Sequence, residues 1–232
     1  LALAACSVSW TDGGEEGAGV AATGTGTQRS FPVEGFSTIE LAGGDDVEVR
    51  VGQAFSVRAE GSSQVLDQLR IDKDGDTLEI GRKEGSSSNT GKARVLVTLP
   101  RLTGASMAGS GSMRVDRAGG AKFETEVAGS GTIQIGQIQA DELEIEIAGS
   151  GTVRAAGAAK SLTVEIAGSG NVEAAGLTAN AAEVSIAGSG DVRATVNGRA
   201  KVEIMGSGDV DLGTGAQCDV TKMGSGNVRC GG

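Results

Sequence analysis

From residue 105 onward, apolar and polar positions alternate with a period of two on either side of a recurring tetrad. The tetrad reads Ala-Gly-Ser-Gly at 108–111, 128–131, 148–151, 167–170 and 187–190, then Met-Gly-Ser-Gly at 205–208 and 223–226. Two residues before its first glycine stand Met107, Val127, Ile147, Ile166, Ile186, Ile204 and Lys222. Four before it stand Ala105, Thr125, Ile145, Val164, Val184, Val202 and Val220. Four after it stand Met113, Ile133, Val153, Val172, Val192, Val210 and Val228, and six after it Val115, Ile135, Ala155, Ala174, Ala194, Leu212 and Cys230. The columns between these are polar. Period two with one apolar face describes a strand buried on one side, so each repeat is predicted to hold two strands joined by a Gly-Ser-Gly turn.

The first glycines recur at steps of 20, 20, 19, 20, 18 and 18 residues, a fixed period that marks a repeat architecture. One repeat cannot bury its apolar face alone. Winding the repeats into a coil closes the columns into a continuous core, each strand pairing in parallel with its equivalent one turn along. The predicted fold is all-β: a single-stranded parallel β-helix, or β-solenoid, with rungs of about 18–20 residues over 104–232. A propeller blade takes about 40–45 residues, twice this period. Gly109, Gly111, Gly129, Gly131, Gly149, Gly151, Gly168, Gly170, Gly188, Gly190, Gly206, Gly208, Gly224 and Gly226 are then structural corners, allowing positive φ or close approach. The Ala or Met before each pair is expected to pack the bend. Ser110, Ser130, Ser150, Ser169, Ser189, Ser207 and Ser225 are expected to form a hydroxyl ladder satisfying turn backbone groups. Seven copies with no base beside them do not describe a serine nucleophile.

Upstream, residues 31–103 read as the N-terminal β portion and cap of the solenoid. Strand-like runs lie at Phe36–Leu41, Asp46–Val51, Phe55–Ala59, Thr77–Ile80 and Lys92–Leu99. Gly43-Gly44-Asp45-Asp46 stands where a degenerate corner would fall, so a first rung is expected there. Ser62–Leu69 reads either as one short helix or as an excursion, and Ser86–Gly91 as a loop. A cap is needed because a stacked coil exposes an unpaired strand at its end.

Composition narrows the chemistry. Only five residues are aromatic, one Trp and four Phe, so the core must be aliphatic. With no histidine, Ser-His-Asp and Cys-His catalysis and histidine-ligated zinc are excluded. A net charge of −10 argues against a nucleic-acid partner.

Leu3-Ala4-Ala5-Cys6 resembles the bacterial lipobox, in which an apolar residue and two small ones precede a cysteine that is acylated before cleavage. Residues 1–6 are read as the end of a lipoprotein signal, with Cys6 the lipidated residue. Two or more acyl chains would anchor the protein stably. Residues 7–30, rich in Gly, Thr and Ala, are expected to be a flexible tether.

The order Phe36-Ser-Thr-Ile-Glu-Leu41, Gly43-Gly-Asp-Asp-Val-Glu-Val49, Thr77-Leu-Glu-Ile80, Val97-Thr-Leu-Pro100, then repeated Gly-Ser-Gly-(Asp/Asn/Thr)-Val, resembles the putative auto-transporter adhesin, or head-GIN domain, family over residues 31–230. The resemblance implies a secreted or surface-attached β-helical domain of a bacterium. It implies no enzyme, no cofactor and no catalytic residue.

The polar columns supply the remaining candidates. Glu124, Glu126, Glu144, Glu146 and Glu165, continued by Glu183 and Glu203, fall on neighbouring rungs before the corner. Stacked carboxylates repel one another, which makes the first five candidates for Ca²⁺ or for a basic partner, against the alternative of a solvated face. After the corner, Arg114, Arg154, Arg193 and Arg229 alternate with Gln134, Glu173 and Asp211, as in cross-rung pairing. Cys218 and Cys230 stand six residues on either side of Gly224, in inward columns, and are either bonded or two buried thiols. Together these readings give a lipid-anchored protein of the bacterial cell envelope, extracytoplasmic and adhesin-like or structural, that binds and does not catalyse. Its partners would be the membrane through the anchor and an envelope polymer, a protein or Ca²⁺. The alternative is a polysaccharide-binding or polysaccharide-active β-helix.

Overall fold

The computed structural model describes residues 19–86 and 91–231, and these form a β-solenoid of about six turns. Cys6 and the segment 1–18 lie outside the described residues. Residues 19–30, expected in the tether, belong to the fold instead. The Val20 N–H donates to the Ile71 carbonyl at 2.7 Å, Thr23 pairs with Ser30, and strand β1 (Gln28–Phe31) follows. Composition misled here, because a Gly-Thr run gives no apolar period even where its backbone is paired.

The first rung is β2 (Thr38–Gly43) and β3 (Asp46–Val51), bent at the degenerate corner 43–45. The chain then doubles back through β4 (Ser56–Glu60), helix α1 (Ser63–Gln68) and β5 (Leu69–Asp74). The Ser62 hydroxyl caps α1 by accepting the Val65 N–H at 3.3 Å. Next, β6 (Thr77–Arg82) and β7 (Arg94–Leu99) run parallel to β2 and β3, making an outer rung. Antiparallel strands close that rung: β5 on β6, β4 on β7, and β1 on β4. Val65 and Leu66 of α1 are buried with this cap. The end of the parallel stack is therefore covered by strands of another sense and by a helix, a standard protection for an open edge.

On the other side of the first rung lies β8 (Gly104–Gly109), with Gly43 opposite Gly109. From here each turn is one bent strand running from corner to corner: β9 (Ser112–Gly129), β10 (Thr132–Gly149), β11 (Thr152–Gly168) and β12 (Asn171–Gly188). The later turns are broken into β13 (Asp191–Val196), β14 (Arg199–Gly206), β15 (Val210–Asp211), β16 (Gln217–Gly224) and β17 (Val228–Arg229). All these pairings are parallel and equivalent residues stack, as in Thr132 on Thr152 and Gly149 on Gly168. The 19-residue step is absorbed by a shift between Ile135 and Ile138, away from the corner, so the tetrads stay aligned. Two strands per repeat understate the coil. Between the two flanking strands lies a third side, with Ala118, Ile138, Ala140, Ala159, Leu177, Ala179 and Val196 turned inward. Its short apolar run carries no tetrad to mark it.

The corner rests on two different demands. Gly149 has φ +123°, and an added Cβ would stand 2.5 Å from the Gly129 carbonyl oxygen. At Gly151 the obstacle is packing, since a Cβ would meet Val127 Cγ1 at 2.4 Å. The serine between them is exposed, and among the described residues none of the seven hydroxyls makes a hydrogen bond. The backbone holds the corner in its place: Ser150 N–H donates to Gly129 O and Ser169 N–H to Gly149 O, both at 2.8 Å. The residue before the first glycine does not pack the bend either. Inward positions sit two residues before the glycine, so the adjacent one faces out, and Met205 and Met223 are 64% and 71% exposed.

In the first rung Asp45 occupies the place of the second glycine, its carbonyl accepting the Ser112 N–H at 3.2 Å. An aspartate fits there because groups of the outer rung satisfy its carboxylate. The Asp45 carboxylate, 1% exposed, accepts Arg82 Nε and the Ala93 N–H, both at 2.7 Å. At the far end Cys218 and Cys230 are joined by a disulfide, Cα atoms 6.1 Å apart, which ties β16 to the end of the last turn. Lys222 stands in the inward isoleucine column and its Nζ donates to Gly226 O at 2.6 Å. An inward-pointing charge on an edge strand discourages further strands from adding.

Candidate functional site

Register places the glutamates in two adjacent columns on the face before the corner. One column runs Glu79, Glu40, Ser106, Glu126, Glu146, Glu165, Ser185, Glu203 and Thr221 on successive rungs. The second contains Glu124, Glu144, Thr163, Glu183, Lys201 and Asp219. Parallel rungs lie about 4.8 Å apart, so like charges stack at close range.

The first column is the more strained electrostatically. Burial, then the field of Glu126, Glu144 and Glu165, raises the Glu146 carboxyl above its usual 4.5, and a hydrogen bond with Glu144 acts in the same direction. Glu40 is raised by burial and then by Glu126, and Glu79 by burial and then by Glu40, Asp72 and Asp74. In the second column lysines answer the carboxylates. Lys122 bridges Glu124 and Glu144, the latter at 2.8 Å, and Lys201 bridges Glu183 at 3.0 Å and Glu203 at 2.8 Å. Both ammonium groups are held above their ordinary value by these bonds.

The five expected calcium ligands are thus divided between two columns, with Lys122 seated between two of them. Among the described residues no three Asp, Glu, Cys or His side chains are grouped to hold a metal ion. Glu40 and Glu79 were not among the expected residues. The available signal was the degenerate corner: Glu40 stands three before Gly43 as Glu126 stands three before Gly129.

The face after the corner is mixed. Arg154 forms a two-pronged pair with Glu173 at 2.7 and 3.2 Å, and Arg229 reaches Asp211 at 3.5 Å. Arg114 and Arg193 have no ion pair among the described residues. Beside the turn, side chains bond to the next rung: Asn171 Oδ1 accepts the Asp191 N–H at 3.3 Å, Asp191 Oδ1 the Asp209 N–H at 3.0 Å, and Asp209 Oδ1 the Asn227 N–H at 2.8 Å. No helix is long and apolar enough to cross a membrane among the described residues.

A capped parallel coil with tetrad corners and a carboxylate column defines the chain as a β-solenoid. Residues 35–216 match the family model described as "Putative auto-transporter adhesin, head GIN domain", and the chain belongs to that family. A crystal structure described as a putative adhesin from Bacteroides fragilis is similar, with TM-score 0.81 and 20% identity, covering 90% of this chain and 98% of that one. A putative lipid binding protein from Parabacteroides distasonis has TM-score 0.69 and 23% identity, covering 90% and 98%. A putative adhesin from Parabacteroides merdae has TM-score 0.64 and 19% identity, covering 88% and 95%. At these identities the likeness shows the fold. Comparison with curated proteins finds no match. Family and neighbours are described as adhesins or binding proteins and not as enzymes.

Proposed function

We propose that this chain is an adhesin-like binding protein of the bacterial cell envelope, held to a membrane by lipid on Cys6, whose carboxylate column is the contact face for a cationic partner. The column carries this reading. Glu40, Glu126, Glu146 and Glu165 share one face with no lysine in their own column, and burial and mutual repulsion raise Glu40 and Glu146. A cation brought to that face relieves the repulsion, and a rigid coil holds the charges at fixed spacing without reorganisation on binding. The anchor rests on Leu3-Ala4-Ala5-Cys6 and the surface location on the family.

Calorimetric titration of the full chain with a lysine-rich peptide tests the contact face. Binding should weaken with added salt and disappear in the Glu40, Glu126, Glu146 and Glu165→Gln variant. Equal binding by that variant would overturn the assignment. Labelling cells with an alkyne-bearing palmitate tests the anchor, with label expected on the native chain and none on Cys6→Ser. Release of unsaturated ends from an acidic polysaccharide would favour the lyase-like alternative instead.

A further inference from the structure

The coil has an internal edge with no strand paired to it among the described residues. The third side of the rung first appears after Asp116. Below it, the chain leaves β3 for the cap, and β7 passes to β8 through only Pro100–Thr103. Residues Arg117–Lys122 of β9 therefore pair with β10 above and, among the described residues, with no strand below. A groove of about 480 Å³ opens along this edge, with Leu102 and Ala118 in its buried floor and Arg101 and Arg117 at its walls.

Two observations bear on what fits the groove. On this side Arg117–Lys122 pair with no strand among the described residues, leaving a groove against Pro100, Arg101 and Leu102, and an extended segment of another chain matches an unpaired strand edge in a way a sugar does not. The walls are basic in a chain of net charge −10. Arg101 makes no hydrogen bond or ion pair among the described residues, and its guanidinium lies over Gly120, where a Cβ would meet it at 2.5 Å. Arg117 is anchored, its Nη2 donating to Val51 O at 2.8 Å, and among the described residues its ion-pair partner is Asp116 at 3.9 Å. Gly120, at φ +139°, bends the strand beneath Arg101, so an incoming segment meets the guanidinium first.

We propose that Arg117–Lys122 is a docking edge for an extended acidic peptide segment of a partner protein. The segment adds as one more strand beneath β9 and places carboxylates against Arg101 and Arg117. This site is separate from the carboxylate column and takes ligands of opposite charge, so it stands or falls independently of that reading.

Fluorescence anisotropy with a labelled octapeptide of alternating Glu and Val is the test. The native chain should bind it, and Arg101→Glu with Arg117→Glu should weaken binding by about tenfold or more for each lost charge-assisted contact. Circular dichroism checks that the double variant keeps its β structure, and Arg101→Gln provides a milder second variant with an intermediate loss. The same peptide N-methylated at every second residue keeps its charge but cannot pair as a strand, and should not bind. Equal binding of the methylated peptide would overturn strand addition. Absence of binding by the native chain would overturn the site. Tighter binding of an oligogalacturonate, lost in the same double variant, would replace the peptide with an anionic glycan.

Discussion

Replacing Gly149 by alanine isolates what the corner requires. The φ of +123° lies where only glycine is at ease, and an L-residue there costs about 1–3 kcal/mol. The new Cβ would also stand 2.5 Å from Gly129 O and 3.2 Å from the Gly129 carbonyl carbon and nitrogen, all backbone atoms of the rung below. That rung is fixed by its own stacking, so Gly149 must lift. Lifting stretches the bonds from Ser150 N–H to Gly129 O and from Ser169 N–H to Gly149 O, now 2.8 Å each. At about 0.5–1.5 kcal/mol for each of the two bonds, the total comes to roughly 2–6 kcal/mol. Ser150→Ala at the next position removes an exposed hydroxyl with no partner and should stay within about 0.5 kcal/mol of the native chain. Urea unfolding followed by far-UV circular dichroism measures both. Repeat arrays can unfold in parts, so amide exchange across 129–168 should show the loss centred on the two bonds named. A Gly149→Ala chain within about 1 kcal/mol of Ser150→Ala would refute the account of the corner.

Asp45→Ala removes the buried carboxylate that accepts from half-buried Arg82 and from the Ala93 N–H, and should destabilise by about 2–3 kcal/mol in the same urea assay. Thr125→Val should stabilise by about 1 kcal/mol or more, since the Thr125 hydroxyl is buried in an apolar column without a hydrogen-bond partner. Glu146→Gln should stabilise the fold at pH 7. The folded carboxyl titrates above its usual 4.5, so the native chain's stability is fully present below that value and falls as pH rises through the raised one, and the advantage of the variant should vanish near pH 4. Lys222→Ile completes the apolar column on the edge strand beside exposed Met223 and Val220, and size-exclusion chromatography should show concentration-dependent association that the native chain lacks.

How much of this was legible follows from where the chain repeats itself. Inward columns such as Ile145, Val164 and Val184 are forced by burial on successive turns, so period two and a fixed step led directly to a parallel coil. The corner glycines were legible for the same reason, but the serine between them was not. A residue can recur because its backbone N–H is needed while its hydroxyl makes no bond, and spacing alone does not separate those cases. Non-repeating contacts were invisible: Asp45 meets Arg82 across 37 positions, and nothing local in either residue announces the pair. The Arg101 groove was hidden for a further reason. It is made by a missing strand beneath Arg117–Lys122, and column alignment registers what recurs, not what one turn lacks. The carboxylate column sits between these extremes, regular enough to be read from Glu126 to Glu165 and extended to Glu40 and Glu79 only by register across the cap. In a solenoid, then, the repeated rungs explain stability, and the rungs that break the repeat are where a ligand can be told from solvent. The first third side and the two ends are those breaks here, and they merit mutation before the uniform middle of the coil.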